Sequence, residues 1–230
     1  KYEAFVNQKV SFFNQSIRDT LKAKEVIREM ELGIFPSFIF VALPNDHTYG
    51  TKAGKPSPEV MIADNDEAVG LLVDAISRSE YWEKTLIFII QDDAQGKGGD
   101  HIHPQRSVGV VVSPWTKKAH TSSVHYSMPS VFRTTEMLFG LPPMNLNTAA
   151  AAPMYDIFID ADEAPDTSPY DAITPQVPYV ENTSATYGAA ESAKLNFEGI
   201  DEAPGLGAIL WHYVKGADVE PPPYAKWNDE

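Results

Sequence analysis

Three short, almost unbroken apolar runs, each closed abruptly by polar or turn-forming residues, limit what this chain can fold into more than any other feature. The first, Phe38-Ile39-Phe40-Val41-Ala42-Leu43, stops at Pro44-Asn45-Asp46-His47, and the second, Leu86-Ile87-Phe88-Ile89-Ile90, stops at Gln91-Asp92-Asp93. The third, Val108-Gly109-Val110-Val111-Val112, is closed by Ser113-Pro114-Trp115. All are far below the roughly 20 residues that a membrane helix requires. Their pattern is that of strands covered on both faces.

Helical periodicity fills the intervals. Ala23, Val26, Ile27 and Met30 fall at helical spacing between positions 17 and 31, with Gly33 and Pro36 as the stop. Val69, Leu72, Val73 and Ile76 form a second stripe, whose start Asn65 or Asp66 is placed to cap. A third helix is predicted from Ser127, with Pro129 in its first turn, through Val131, Thr134, Thr135 and Leu138 to Gly140. The order helix, strand, helix, strand, strand, helix predicts an α/β fold with a largely parallel sheet and helices on both faces.

Beyond Pro142, the prolines at 153, 165, 169, 175 and 178 block regular elements. Residues 1–145 therefore read as the α/β domain and 146–230 as an extended, Pro-rich segment wrapping it. Ile209-Leu210-Trp211-His212-Tyr213 is expected to dock on the core, and Glu220-Pro221-Pro222-Pro223 to end the ordered chain.

Composition excludes several functions. With 18 Lys+Arg against 32 Asp+Glu, the net charge is −14, and nothing gathers more basic charge than Lys117-Lys118. A nucleic-acid partner needs a basic stripe, so none is expected, and a membrane-surface role is equally disfavoured. There is no cysteine, so any metal must use oxygen and imidazole ligands. Walker-type phosphate loops, G-x-G-x-x-G and G-x-S-x-G are absent as well. Position 1 is Lys rather than Met, which reads as a processed or excised chain.

In open α/β sheets ligands sit outside the carboxyl ends of the strands. Asp46 and His47 follow one run and Asp92 and Asp93 the next, while Asp100, His101 and His103 lie in a loop after Gly96, Gly98 and Gly99. Two adjacent carboxylates repel each other in a dry site, and a divalent cation is the simplest way to hold them. The alternative is a solvated acidic turn. His101-Ile102-His103 has the spacing of a ligating pair but also occurs on plain surfaces, and Asp46-His47 reads equally as a turn cap. Arg106 suits either an anionic substrate group or a partner among the surplus carboxylates. His120 and His212 lack such neighbours; His125 is left open, because it precedes a helix.

Several strings together resemble a known family. Leu43-Pro44-Asn45-Asp46-His47-Thr48, Ala63-Asp64-Asn65-Asp66, Leu86 through Gln95, Asp100-His101, Arg106-Ser107 and Leu141-Pro142-Pro143-Met144 look like the phosphoesterase branch of the alkaline phosphatase superfamily. That branch is similar to bacterial acid phosphatases and phospholipases C. The resemblance implies an alkaline-phosphatase-like fold and metal-dependent hydrolysis of a phosphomonoester or phosphodiester, on a small molecule or a lipid. Carried over by position, Asp92, Asp93 and His101 look like metal ligands, and His47 like the imidazole that meets the metal or the phosphoryl oxygens. Asp46 and His103 join it as catalytic candidates, with His103 standing near Gln105, where relatives often carry histidine. Arg106 and Thr48 are the substrate-binding candidates. Carboxylates suit Mg, Mn or Ca and imidazole draws in Zn, so Zn or Mn is expected.

The superfamily's nucleophilic Ser or Thr belongs to a half that would precede Lys1. The resemblance therefore makes this chain the carboxyl-terminal half of a catalytic domain, with that N-terminal half as a partner and weak activity alone; Thr48 and Thr51 are the hydroxyls near the rim. It also implies a periplasmic or secreted setting. The competing readings are a non-catalytic metal- or phosphate-binding module, and a sulfatase or phosphonate hydrolase on the same fold.

Overall fold

The first predicted helix is present as α1, Asp19–Glu31, in a computed structural model that describes residues 3–10, 13–92, 106–197, 203 and 205–221. A 3-10 turn, Pro44–His47, follows, then α2, Pro58–Ser77. β1 (Ile87–Ile90) and β2 (Gly109–Val112) come next, then α3 (Met128–Leu138) and α4 (Leu146–Ala150). Two late helices are α5, Ala189–Ser192, and α6, Leu206–Lys215. The chain divides into two units. One comprises Lys1–Ile76, Asp93–Arg106 and Tyr170–Glu230; the other comprises Ser77–Asp92 and Ser107–Pro169.

The fold mixes helices with a small sheet, and here the sequence reading needs correction. Among the described residues the sheet has two strands, β1 and β2, paired antiparallel in the register Ile87↔Val112 to Ile90↔Gly109. A largely parallel sheet is not seen among the described residues. Residues 38–43 form no strand, because a strand exists only through a neighbour's hydrogen bonds and no described segment pairs with them. Side chains engage its end instead: Lys22 Nζ donates to Ala42 O at 3.4 Å and Asn65 Nδ2 to Leu43 O at 2.7 Å. Phe38 and Phe40 are exposed.

α2 begins at Pro58, well before the cap positions expected at Asn65 or Asp66. Ser57 performs the capping, its hydroxyl accepting from Val60 N at 3.4 Å and its carbonyl from Met61 N at 3.1 Å. Proline is tolerated just inside, where its missing N–H has no helical partner. The longer helix extends the apolar stripe back through Ala68 and Met61, and Asp64 lies on that same buried face.

In the first unit the Pro-rich stretch runs back along the helical core. Asn182 N donates to Lys55 O at 2.9 Å, Ser57 N to Val180 O at 2.9 Å and Ala172 N to Asp74 Oδ2 at 2.8 Å. The late apolar patch lies within α6, where residues 209–213 are half-buried, Ile209 stands beside Gly188 and the Tyr213 hydroxyl donates to Glu59 Oε2 at 3.1 Å. In the second unit α3 starts with a Ser127–Ser130 capping box and carries Pro129 in its first turn. No helix among the described residues is long and apolar enough to cross a membrane.

Candidate functional site

Asp46, His47 and Thr48 share the tight turn that follows residues 38–43. Pro44 opens it with a fixed φ, and Thr48 closes it at φ 58°, ψ 178°. That conformation is nearly reserved for glycine, and a β-branched residue there carries about 1–3 kcal/mol of strain. Such strain persists only where the surroundings over-determine it, and it gathers at functional sites. Thr48 is 1% exposed; its N–H donates to Asn45 O at 3.0 Å, its carbonyl accepts from Gln15 Nε2 at 2.9 Å, and its hydroxyl accepts from Gly50 N at 3.0 Å.

A buried polar network anchors the turn from behind. Asp64 Oδ1 accepts from Arg18 Nε at 2.9 Å and Thr20 Oγ1 at 2.7 Å, while Oδ2 accepts from Asp19 N at 2.7 Å and Asn45 Nδ2 at 2.8 Å. Arg18 Nη2 closes a fork on Oδ1 at 2.7 Å. Asp19 Oδ2 in turn accepts from Asn45 N at 2.8 Å and Asn65 Nδ2 at 3.0 Å. Asp64 thus supplies, from another helix, the cap that Arg18 does not give α1.

The two carboxyls titrate in opposite directions. Burial pushes Asp19 up, and the hydrogen bonds from Asn45 and Asn65 offset this only in part. Burial also opposes ionisation of Asp64, but the bonds from Thr20 and Arg18 outweigh it and hold the group below the usual carboxylate range. Lys22, buried with Nζ 3.7 Å from Asp19 Oδ1, is pulled down by burial against the pull of Asp19.

The His47 ring is half-buried, set edge-on between Phe13 at 5.9 Å and Phe197 at 6.2 Å. Its Nδ1 lies 3.4 Å from Gln15 Nε2 and 3.4 Å from Thr48 O. Asp46 beside it is exposed. Thr51, the other hydroxyl of this stretch, is fully buried with Oγ1 3.1 Å from Ser192 Oγ.

Arg106 is an exposed residue of the first unit, and Asp92 is exposed just past the end of β1 in the second. Asp93, Asp100, His101, His103 and Gln105 lie outside the described residues. Two carboxylates and an imidazole, the donor set of Asp92, Asp93 and His101, fit a divalent ion by their chemistry. Among the described residues no group of three or more His, Cys, Asp or Glu is placed to hold a metal. His120 Nε2 faces Asp156 Oδ2 at 3.7 Å in the second unit, His212 Nδ1 lies 3.4 Å from Gly216 O, and His125 is exposed.

Gln15, Asp19 and Asp64 were not singled out for chemistry by the sequence reading. A signal existed for Asp64: it stands at helical spacing between Met61 and Ala68, so an acid occupies a core position of α2. Buried acids with several donors are placed to fix something in position.

A histidine held on a strained turn, with an exposed carboxylate beside it, is suited to handling a charged substrate group by proton donation or transfer. The class is narrowed by comparison: the model of the Phosphoesterase family matches residues 2–142, more than half of the 230-residue chain. The chain belongs to that family, and its chemistry falls in the general class of phosphate-ester hydrolysis. No curated protein matches it.

Proposed function

We propose that the chain is a metal-dependent hydrolase of phosphate esters in the alkaline phosphatase superfamily, with its substrate handled at the turn that carries His47. The family match supports this most directly, because it spans His47, Asp92, Asp93 and His101. The strained Thr48 supports the position of the site. Asp92, Asp93 and His101 would hold a divalent ion, Zn or Mn, and that ion would supply positive charge for the phosphoryl oxygens. His47 binds and orients the phosphoryl group, Asp46 and His103 assist proton movement, and Arg106 clamps the anion. Thr48 contributes through its backbone, since its hydroxyl is buried and closes the turn. The substrate is a phosphate-ester small molecule or lipid, met in a periplasmic or secreted setting.

A second reading, a metal- or phosphate-binding module without turnover, is favoured by one observation. Both hydroxyls of this stretch, Thr48 and Thr51, are buried and engaged, so neither is poised to attack.

Aryl-phosphate turnover by the purified chain separates the two. Turnover that disappears with chelator and returns with Zn or Mn supports the hydrolase. Metal binding without turnover selects the module, and neither binding nor turnover contradicts both.

A further inference from the structure

A cavity of about 300 Å3 lies in the second unit, between α3 and the stretch that follows Pro153. α3 contributes Thr134, Met137 and Leu138 to its wall, and that stretch contributes Met154, Tyr155 and Phe158. The volume is at the small end of the roughly 300–1,000 Å3 of ligand pockets. Leu138 and Tyr155 are more than half exposed, so the cavity opens to solvent. The polar groups of the wall are already committed. Thr134 Oγ1 donates to Ser130 O at 2.8 Å and accepts from Met154 N at 3.0 Å, while the Tyr155 hydroxyl turns to Met137 Sδ at 3.6 Å. A ligand is therefore met by carbon and thioether surface, which selects a hydrocarbon group, and the two methionines let the wall adapt to its shape.

A cation stands beside this wall. Tyr155 and Phe158 flank Asp156, whose carbonyl accepts from Lys117 Nζ at 3.0 Å, and Thr116, next to Lys117, bridges Phe158 in the antiparallel sense. Lys117 is exposed and enters no ion pair among the described residues. The neighbouring basic groups are engaged: Lys118 Nζ meets Asp166 Oδ2 at 2.5 Å, and His120 Nε2 faces Asp156 Oδ2 at 3.7 Å. The Asp156 carboxylate is itself taken up by donors, Ser122 Oγ at 2.6 Å and the Tyr126 hydroxyl. One unpaired ammonium charge beside a hydrocarbon pocket matches a ligand with a single negative charge, a carboxylate in preference to a phosphate dianion.

We propose that this cavity binds the hydrocarbon chain of a free fatty acid, whose carboxylate is held by Lys117. The site belongs to the second unit and does not rest on the function proposed for the His47 turn. An anionic membrane surface is the poorer occupant, because a chain with a net charge of −14 is repelled by it. Burial of the hydrocarbon supplies the affinity, about fourfold for each methylene removed from water, until the cavity is full. The ammonium sets which head group is accepted.

The test is methyl NMR of the full chain labelled at methionine, assigned with Met137→Leu and Met154→Leu and titrated at about pH 8, where histidine is neutral, with monomeric octanoate, decanoate and dodecanoate. Met137 and Met154 line the cavity, whereas Met30 and Met61 belong to the first unit. The fatty acids are expected to shift Met137 and Met154, to leave Met30 and Met61 in place, and to bind about fourfold more tightly per added methylene until the chain outgrows the cavity. Lys117→Met should weaken decanoate about tenfold and leave decanol unchanged. Leu138→Asp, at a position 59% exposed, should abolish binding of both. No shift at Met137 and Met154, equal shifts at all methionines, or an affinity indifferent to chain length overturns the proposal. So does decanol or decylamine binding as tightly as decanoate, or binding to phosphatidylglycerol vesicles without binding of monomeric decanoate. The wild-type titration and Lys117→Met decide even if Leu138→Asp fails to fold.

Discussion

Replacing Asp64 tests whether the buried network holds the His47 turn. Asp64→Asn keeps the side-chain shape but turns one acceptor oxygen into a donor NH2. On the Oδ2 side that NH2 would face Asp19 N and Asn45 Nδ2, two donors with nowhere to go. On the Oδ1 side it faces Thr20 Oγ1, whose hydroxyl can reverse and accept, and Arg18, whose side chain is 67% exposed and can turn to water. The variant should therefore settle with its oxygen toward the backbone donors, losing the Arg18 fork and one charge-assisted bond, at about 1.5–3 kcal/mol. Asp64→Ala instead orphans the buried donors of Thr20, Asp19 and Asn45 together, and should lose about 3–5 kcal/mol. Against a typical total of about 5–15 kcal/mol, that loss leaves the fold marginal.

The pH dependence has a definite sign. Asp64 is held below the ordinary carboxylate range, so its contribution is fully present above the unfolded value of about 3.9 and is lost as pH falls through its folded value. Urea unfolding at pH 7, with amide exchange in α1 as a local probe, should show the deficit of Asp64→Asn, and the gap to wild type should narrow below about pH 4. Equal midpoints at pH 7, or a gap that widens in acid, would refute the reasoning.

Three further outcomes follow. Lys22→Met leaves the fully buried Asp19 without its cation and should lose about 3–5 kcal/mol, whereas Asp19→Asn with Lys22→Met should lose clearly less than the sum of the single changes in urea midpoints. Gly188→Ala puts a Cβ 2.6 Å from Ile209 Cγ2 at φ +72°, and should lose about 2–4 kcal/mol. Gly33→Ala has the same sign of φ but open space and should lose about 1 kcal/mol, a contrast read from thermal midpoints. Asp92→Asn should weaken Zn or Mn binding at least about tenfold by calorimetry.

What the sequence showed of the fold depended on how locally each element is specified. α1, α3 and α6 follow from periodicity and their stop signals, because a helix satisfies its own backbone. β1 and β2 were found as segments, but their direction depends on which strand stands beside them, and nothing in Val110-Val111-Val112 encodes that. The run 38–43 has a strand's composition, but composition cannot provide a partner. The start of α2 is hidden in the sequence because its first half carries an acid on the core face, and a periodicity argument treats Asp64 as the end of a stripe when it is part of one.

At the site, the residue types Asp46 and His47 were legible from the abrupt end of an apolar run. Their support was not. Gln15 and Asp19 act across 32 and 26 residues of sequence, and contacts of that separation leave no local pattern. The strain at Thr48 is likewise invisible in the string, since threonine gives no warning of a glycine-like backbone.

The most direct test of the central claim is calorimetric binding of inorganic phosphate to the chain with and without Zn or Mn, repeated with His47→Asn. Phosphate binding that requires the metal and weakens at least about tenfold in His47→Asn, a change of about 1.4 kcal/mol, is the result expected of a phosphate-ester site built on this turn. Phosphate binding indifferent to both the metal and His47, or no metal binding at all, would contradict it.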